Sequence, residues 1–147
     1  MISRIVIISI ILCISTLAGD DARTENATGT LIVNILGFKS DAGKVKIAVA
    51  NSMQNYKDHK NPFRGLTTGI KQNNATVIIE DIPFGEYALK AFHDEDSNDE
   101  LTTNFLGIPV EAYGFSNDAR EMFGPPAWDI AKFKFDKDTL KIEITIK

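Results

Sequence analysis

Apolar and polar side chains alternate along most of the chain. Residues 44–50 (Lys-Val-Lys-Ile-Ala-Val-Ala) and 86–93 (Glu-Tyr-Ala-Leu-Lys-Ala-Phe-His) follow a two-residue period, the pattern of half-buried strands. Residues 30–36, bounded by Gly29 and Gly37, are rich in β-branched side chains, and 75–80, 131–135 and 140–147 continue the series. Turn chemistry separates them. Ser40-Asp41-Ala42-Gly43 predicts a hairpin joining the first two strands, Asp81-Ile82-Pro83-Phe84-Gly85 a tight turn, and Asp136-Lys137-Asp138 a closing hairpin. No stretch shows convincing helical periodicity, although 52–59 and 118–122 could each hold a short helix. The pattern predicts an all-β fold: an antiparallel β-sandwich, immunoglobulin-like or transthyretin-like, with one long irregular loop.

Two segments, 51–74 and 95–129, break the strand rhythm. The second, with its flank to Phe135, holds seven of the thirteen aromatic residues in the chain. Loops of that length are uncommon in compact domains unless they carry function, and a merely solvated loop has no need of aromatics. They are expected to pack against the sandwich or line a recess. Tyr113, Phe115, Phe123 and Trp128 are either a satellite core or a stacking surface for a sugar or peptide. Gly114 and Gly124 suit turns, and Pro125-Pro126 stiffens the exit.

The start of the chain follows a different logic. Arg4 and the α-amino group precede an apolar run over 5–17, and small residues then lead into Asp20-Asp21. That is the layout of a secretory signal peptide, with cleavage expected after Ala18. The run of about 13 residues falls short of the ~20 needed to cross a bilayer core, which disfavours the alternative of an uncleaved anchor. Cys13 lacks the preceding small residue of a lipoprotein site. The expected organisation is a signal peptide at 1–18, a flexible leader at 19–28 and one domain at 29–147, periplasmic or secreted, with no membrane insertion after cleavage. The sole cysteine leaves with the signal, so the mature core must hold without disulfides.

Charge then narrows the partners. There are 20 acidic against 16 basic residues, a net charge of -4 at pH 7, and no concentrated basic footprint, which argues against nucleic acid. The acidic residues are not spread evenly. His93-Asp94-Glu95-Asp96-Ser97-Asn98-Asp99-Glu100-Leu101 places five carboxylates in seven residues. Asp94, Asp96 and Asn98 have the one-three-five spacing of a calcium loop, where alternate oxygens converge on one cation. Glu100 would offer its backbone carbonyl at the seventh position, and Asn104 is a further oxygen donor in the same stretch. An EF-hand is excluded: Asp99 stands where Gly is required and Phe105 where a bidentate Glu belongs, and the flanks are not helical. A free-standing calcium loop and a solvated acidic turn both remain.

In order along the chain stand Gly85-x-Tyr87-Ala88, His93-Asp94-x-Asp96-x-Asn98-x-x-Leu101, Gly107-x-Pro109-x-Glu111, Gly114-Phe115-Ser116-Asn117 and Gly124-Pro125-Pro126. This succession resembles the bacterial domain-of-unknown-function family 2141, small exported proteins of similar length. The resemblance implies a sandwich domain outside the cytoplasm and carries no established activity. The family pattern has Asn, Gly and Asp where this chain has Asp96, Asp99 and Thr102, so one oxygen ligand is missing at Thr102 and Asp99 is the residue that could replace it.

The expectation is an exported, non-catalytic binding or structural module of the cell envelope. Its metal residues would be Asp94, Asp96, Asn98, Glu100 and Asn104, its ion Ca²⁺. Glu111, Tyr113, Phe115, Ser116, Asn117 and Trp128 are the candidate ligand-binding residues, for a carbohydrate or a peptide. Glu111 could also be a remote ligand to the cation, a general base, or an anchor for loop amides. The rival is a metal-assisted hydrolase using the acidic loop with His93 and Glu111. No nucleophile elbow or phosphate-binding glycine loop is present, and without a mature cysteine thiol catalysis is excluded.

Overall fold

The alternating segments resolve into two sheets. The computed structural model describes residues 27–147; the expected signal peptide and nearly all of the leader lie outside the described residues. One sheet has three strands: β1 (Thr28–Leu36) lies between β4 (Asn74–Pro83), antiparallel to it, and β8 (Thr139–Thr145), parallel to it. The other runs β3 (Arg64–Thr68), β2 (Lys44–Ala50), β5 (Gly85–Asp94), β6 (Tyr113–Phe115), while β7 (Phe133–Phe135) pairs with the first residues of β5. The fold is an all-β sandwich.

Period two explains the core. Leu31, Val33 and Ile35 of β1 face Val45, Ile47 and Val49 of β2 and Tyr87, Leu89 and Ala91 of β5, all buried in one cluster with Phe135, Ile144 and Ile146. The central strand β5 is also covered on its outer face. There Ala88 joins a second cluster with Ala50, Tyr56, Phe115, Ala119, Trp128 and Ala131. Its residues come from α1 (Met53–Lys57) and α2 (Trp128–Ala131) and the chain around them. Helix α1 is the short helix expected within 52–59; Ser52 starts it with a reciprocal capping box to Asn55. Only a single 3-10 turn, Ser116–Asp118, forms where a helix over 118–122 was expected.

Neither expected hairpin forms. The 40–43 connection carries the chain from one sheet to the other, because β1 pairs with β4 and β8 while β2 pairs with β3 and β5. Turn residues specify a change of direction, not the partner that follows. Gly37, at φ +95°, leaves β1 so close to β8 that a Cβ would collide with the Ile146 carbonyl oxygen. At 136–138 the chain likewise changes sheets: β7 pairs with β5, and β8 with β1. The 81–85 turn is another crossing, and β4 runs on through it to Pro83 by way of a bulge at Asp81, φ 55°. Strand β3 went unpredicted because Leu66 is its one large apolar residue.

No helix among the described residues is long and apolar enough to cross a membrane.

Candidate functional site

Strand β5 ends at Asp94, opposite Lys44 of β2. Adjacent residues of a strand point to opposite faces, so Asp94 and His93 part company. His93 is wholly buried, its ring edge-on to Phe38 at 5.1 Å and its Nε2 2.7 Å from the Ala42 carbonyl oxygen. Asp94 is also wholly buried, yet it faces the acidic loop. Its Oδ1 accepts from the Asn98 N–H at 3.0 Å and its Oδ2 from the Asp99 N–H at 3.1 Å, with Lys44 Nζ 3.8 Å away.

The loop curls around that carboxylate. Ser97 and Asp99 take left-handed backbone, φ 60° and 71°, which turns the intervening amides inward. Asp96 accepts from the Asn98 backbone at 3.1 Å and from its side chain at 2.9 Å. Asn98 in turn accepts from the Glu100 N–H at 2.7 Å and donates to the Thr102 hydroxyl at 2.9 Å. Gly43, φ +70°, lies against the start of the loop, where a Cβ would strike the Asp94 carbonyl oxygen.

Glu111 closes the site from the far end of the loop. It is nearly buried; Oε1 accepts from the Glu95 N–H at 2.9 Å and Oε2 from the Thr102 N–H at 2.8 Å. One carboxylate oxygen each from Asp94, Asp96 and Glu111 lies within 4.8 Å of the others. Calcium holds oxygens at 2.3–2.6 Å, so two of its ligands can stand at most about 5 Å apart. The three oxygens meet that limit. Carboxylates so close repel one another, and a hard cation between them would turn that repulsion into attraction.

The remaining expected metal residues are placed differently. Asn98 sits in the loop, its side-chain oxygen already accepting the Glu100 amide. Glu100 is exposed and outside the carboxylate group. The Asn104 side chain accepts from the Leu106 and Ile108 N–H groups at 2.9 and 3.1 Å, and so shapes a separate turn. Asp99 does not replace the ligand missing at Thr102: it points to Lys44 at 2.8 Å and also pairs with Lys46. Hydrogen bonds from Lys44 and then Lys46 hold its carboxyl down at about 2. These lysines were not singled out in the sequence. Their relevance emerges only once Lys44 is seen to pair with Asp94 across the strands.

The candidate ligand-binding residues divide. Phe115 and Trp128 are buried in the cluster on the outer face of β5, with Tyr113 half-buried against it. Ser116 is wholly buried; its hydroxyl accepts from the Leu89 N–H at 2.9 Å and donates to the Ala131 carbonyl at 2.6 Å. Asn117 caps the end of α2, donating to the carbonyls of Ile130, Ala131 and Lys132. Both are spent on structure. The expectation that all the loop aromatics pack inward also fails at two positions, for Phe105 and Phe123 are 94% and 86% exposed.

A family model described as "Uncharacterized protein conserved in bacteria (DUF2141)" matches residues 33–143. No curated protein and no solved structure matches the chain.

Proposed function

Starting from the fact that the chain belongs to this uncharacterised bacterial family, DUF2141, we propose that it is an exported, non-catalytic module of the cell envelope whose 94–104 loop, closed by Glu111, binds calcium. One observation carries the reading: the oxygens of Asp94, Asp96 and Glu111 fall within 4.8 Å of one another, two of the three side chains being buried. A buried carboxylate group of this kind is costly without a counter-ion, and Lys44 at 3.8 Å is a distant one. Calcium suits the site better than magnesium because its coordination is larger and tolerates irregular oxygen sets. Export is supported by the charge and hydropathy layout of residues 1–18. The ion would add to the links that already join the ends of the loop, the Glu111 hydrogen bonds to Glu95 and Thr102 and the backbone bonds His93–Ala112 and Val110–Thr102.

The hydrolase alternative loses a member. It needs His93 at the Asp94–Asp96–Glu111 group, whereas His93 points to the other face of β5, wholly buried against Phe38, with its Nδ1 3.5 Å from the Glu95 carboxylate and outside that group.

Calorimetric titration together with thermal melting tests the proposal. Calcium is expected to release heat on binding and raise the melting midpoint, reversibly with chelator. At a hundredfold its dissociation constant it adds ~2.7 kcal/mol of stability. Asp96→Ala, at an exposed position, removes a ligand without a core defect and should abolish both signals. The absence of heat and of any melting shift at millimolar calcium overturns the reading.

A further inference from the structure

We propose a second site, remote in chemistry from the acidic loop: a recess on the outer face of β5 that binds a small organic anion with a flat apolar body. The recess, of about 200 Å³, is lined by Tyr56, His59, Lys90, Pro125, Pro126 and Trp128 among others. Its polar end is Lys90. This side chain leaves β5 on the face opposite the main core, is partly buried, and has no carboxylate within ion-pairing distance among the described residues. Every other lysine that comes in from β2 or from the end of α2 has such a partner: Lys44, Lys46 and Lys132 are each paired.

What holds Lys90 is not a carboxylate. Its ammonium donates to the Tyr56 carbonyl, lies 4.7 Å from the Tyr56 ring centroid and stands 3.5 Å from His59 Nδ1. A half-desolvated cation in contact with a carbonyl, a π-face and an imidazole, with the Asp58 carboxylate beyond ion-pairing distance, attracts an anion more strongly than a solvated surface lysine would. Burial lowers its pKa and the charge of nearby Asp58 works against that shift.

The walls decide the rest of the ligand. Trp128 and Tyr56 meet edge-to-face at 5.7 Å, and the Tyr56 hydroxyl donates to the Pro126 carbonyl at 3.0 Å, so α1 and the 125–128 segment are pinned together. The recess is therefore preformed, which reduces the ordering cost of binding. Aromatic and proline surfaces suit a flat ring. The volume lies below the range of drug-sized pockets, so the body is about one ring, and the charged group is a carboxylate or a similar monoanion at Lys90.

Trp128 is the only tryptophan in the chain, and its indole N–H resonance reports the recess directly. The test titrates the full chain, in chelator, with benzoate, with its neutral isostere benzamide, and with acetate. Benzoate is expected to shift the Trp128 indole and the amides of Lys90 and His59, saturably. Benzamide and acetate should each bind roughly tenfold more weakly or worse. Lys90→Gln should reduce benzoate affinity by a similar factor, and Lys90→Arg should keep it. Equal affinity for benzoate and benzamide, absence of saturable shifts at Trp128, or full benzoate affinity in Lys90→Gln each overturns the proposal. If Lys90→Gln does not fold, the contrast between benzoate and benzamide in the native protein decides. Chelator keeps this outcome separate from the calcium reading.

Discussion

The two halves of the long segment between β5 and β7 are built on opposite plans. In 94–111 the buried side chains that organise the loop are two carboxylates, Asp94 and Glu111, while the large apolar side chains Phe105, Leu106, Ile108 and Val110 are exposed. In 113–131 it is aromatics that are buried: Phe115 and Trp128 pack with Tyr56 against β5, with Phe123 the exposed exception. Carboxylates accepting backbone amides organise the first half, and the second is held by apolar burial supplemented by the Ser116 and Asn117 hydrogen bonds. The first plan rests on charge and the second on apolar burial. One contiguous stretch thus joins an electrostatic element to a hydrophobic one.

The sharpest way to break the comparison is to remove the hydrophobic half. Phe115→Ala opens a cavity among Tyr56, Tyr113 and Trp128, and large-to-small changes at buried aromatics cost about 3–5 kcal/mol. Chemical denaturation should show that loss, with the stabilisation by calcium unchanged in size. A loss of the calcium increment as well would mean that the two halves are not independent.

Next in size is Glu111→Ala. It leaves the Glu95 and Thr102 amides without their acceptor, and hydrogen bonds to a charged group are worth about 1.5–3 kcal/mol. Unlike Phe115→Ala, it should also erase the calcium increment, because Glu111 supplies one of the three converging oxygens. Melting curves with and without calcium read both effects. An increment that survives would place the ion, if bound, elsewhere in the loop.

The contrast explains what could be read before the fold was known. Strands β1, β2, β4, β5 and β8 were visible because their side chains alternate against a core, and a local period reports burial. Their partners were not. The turn at 40–43 has hairpin chemistry, yet the chain there changes sheets, and a sandwich exchanges strands between layers through the same residue types. In the acidic half, Asp94 and Asp96 were legible from spacing, since the loop is local. Glu111 was visible only as a candidate with several roles, for its arrival beside Asp94 depends on the path of the intervening chain. In the aromatic half, Phe115 and Trp128 were noticed for their type, but which faced inward depended on the coverage of β5. Ser116 and Asn117 were expected at a ligand and serve the backbone instead.

A third carboxylate supplies the control that the comparison lacks. Asp41, in the connection between the sheets, accepts from the Gln72 and Asn73 N–H groups at 2.8 and 2.7 Å. Those two residues have left-handed backbone, φ 53° and 58°, at the tight turn before β4. This is the chemistry of Asp94, a carboxylate gathering amides from a left-handed turn, but Asp41 belongs to no carboxylate group among the described residues. The amides of Asn73 and then Gln72 hold its pKa below the usual value of 3.8. A group depressed in this way binds fewer protons folded than unfolded, so its contribution is complete above about pH 4 and is lost as pH falls through the lowered value. Asp41→Asn should therefore flatten the acid limb of the stability curve below pH 4, the smallest of these effects, and leave the response to calcium intact. A calcium response that changed with Asp41 would show that amide-gathering carboxylates in general, and not the convergence of three, govern the ion.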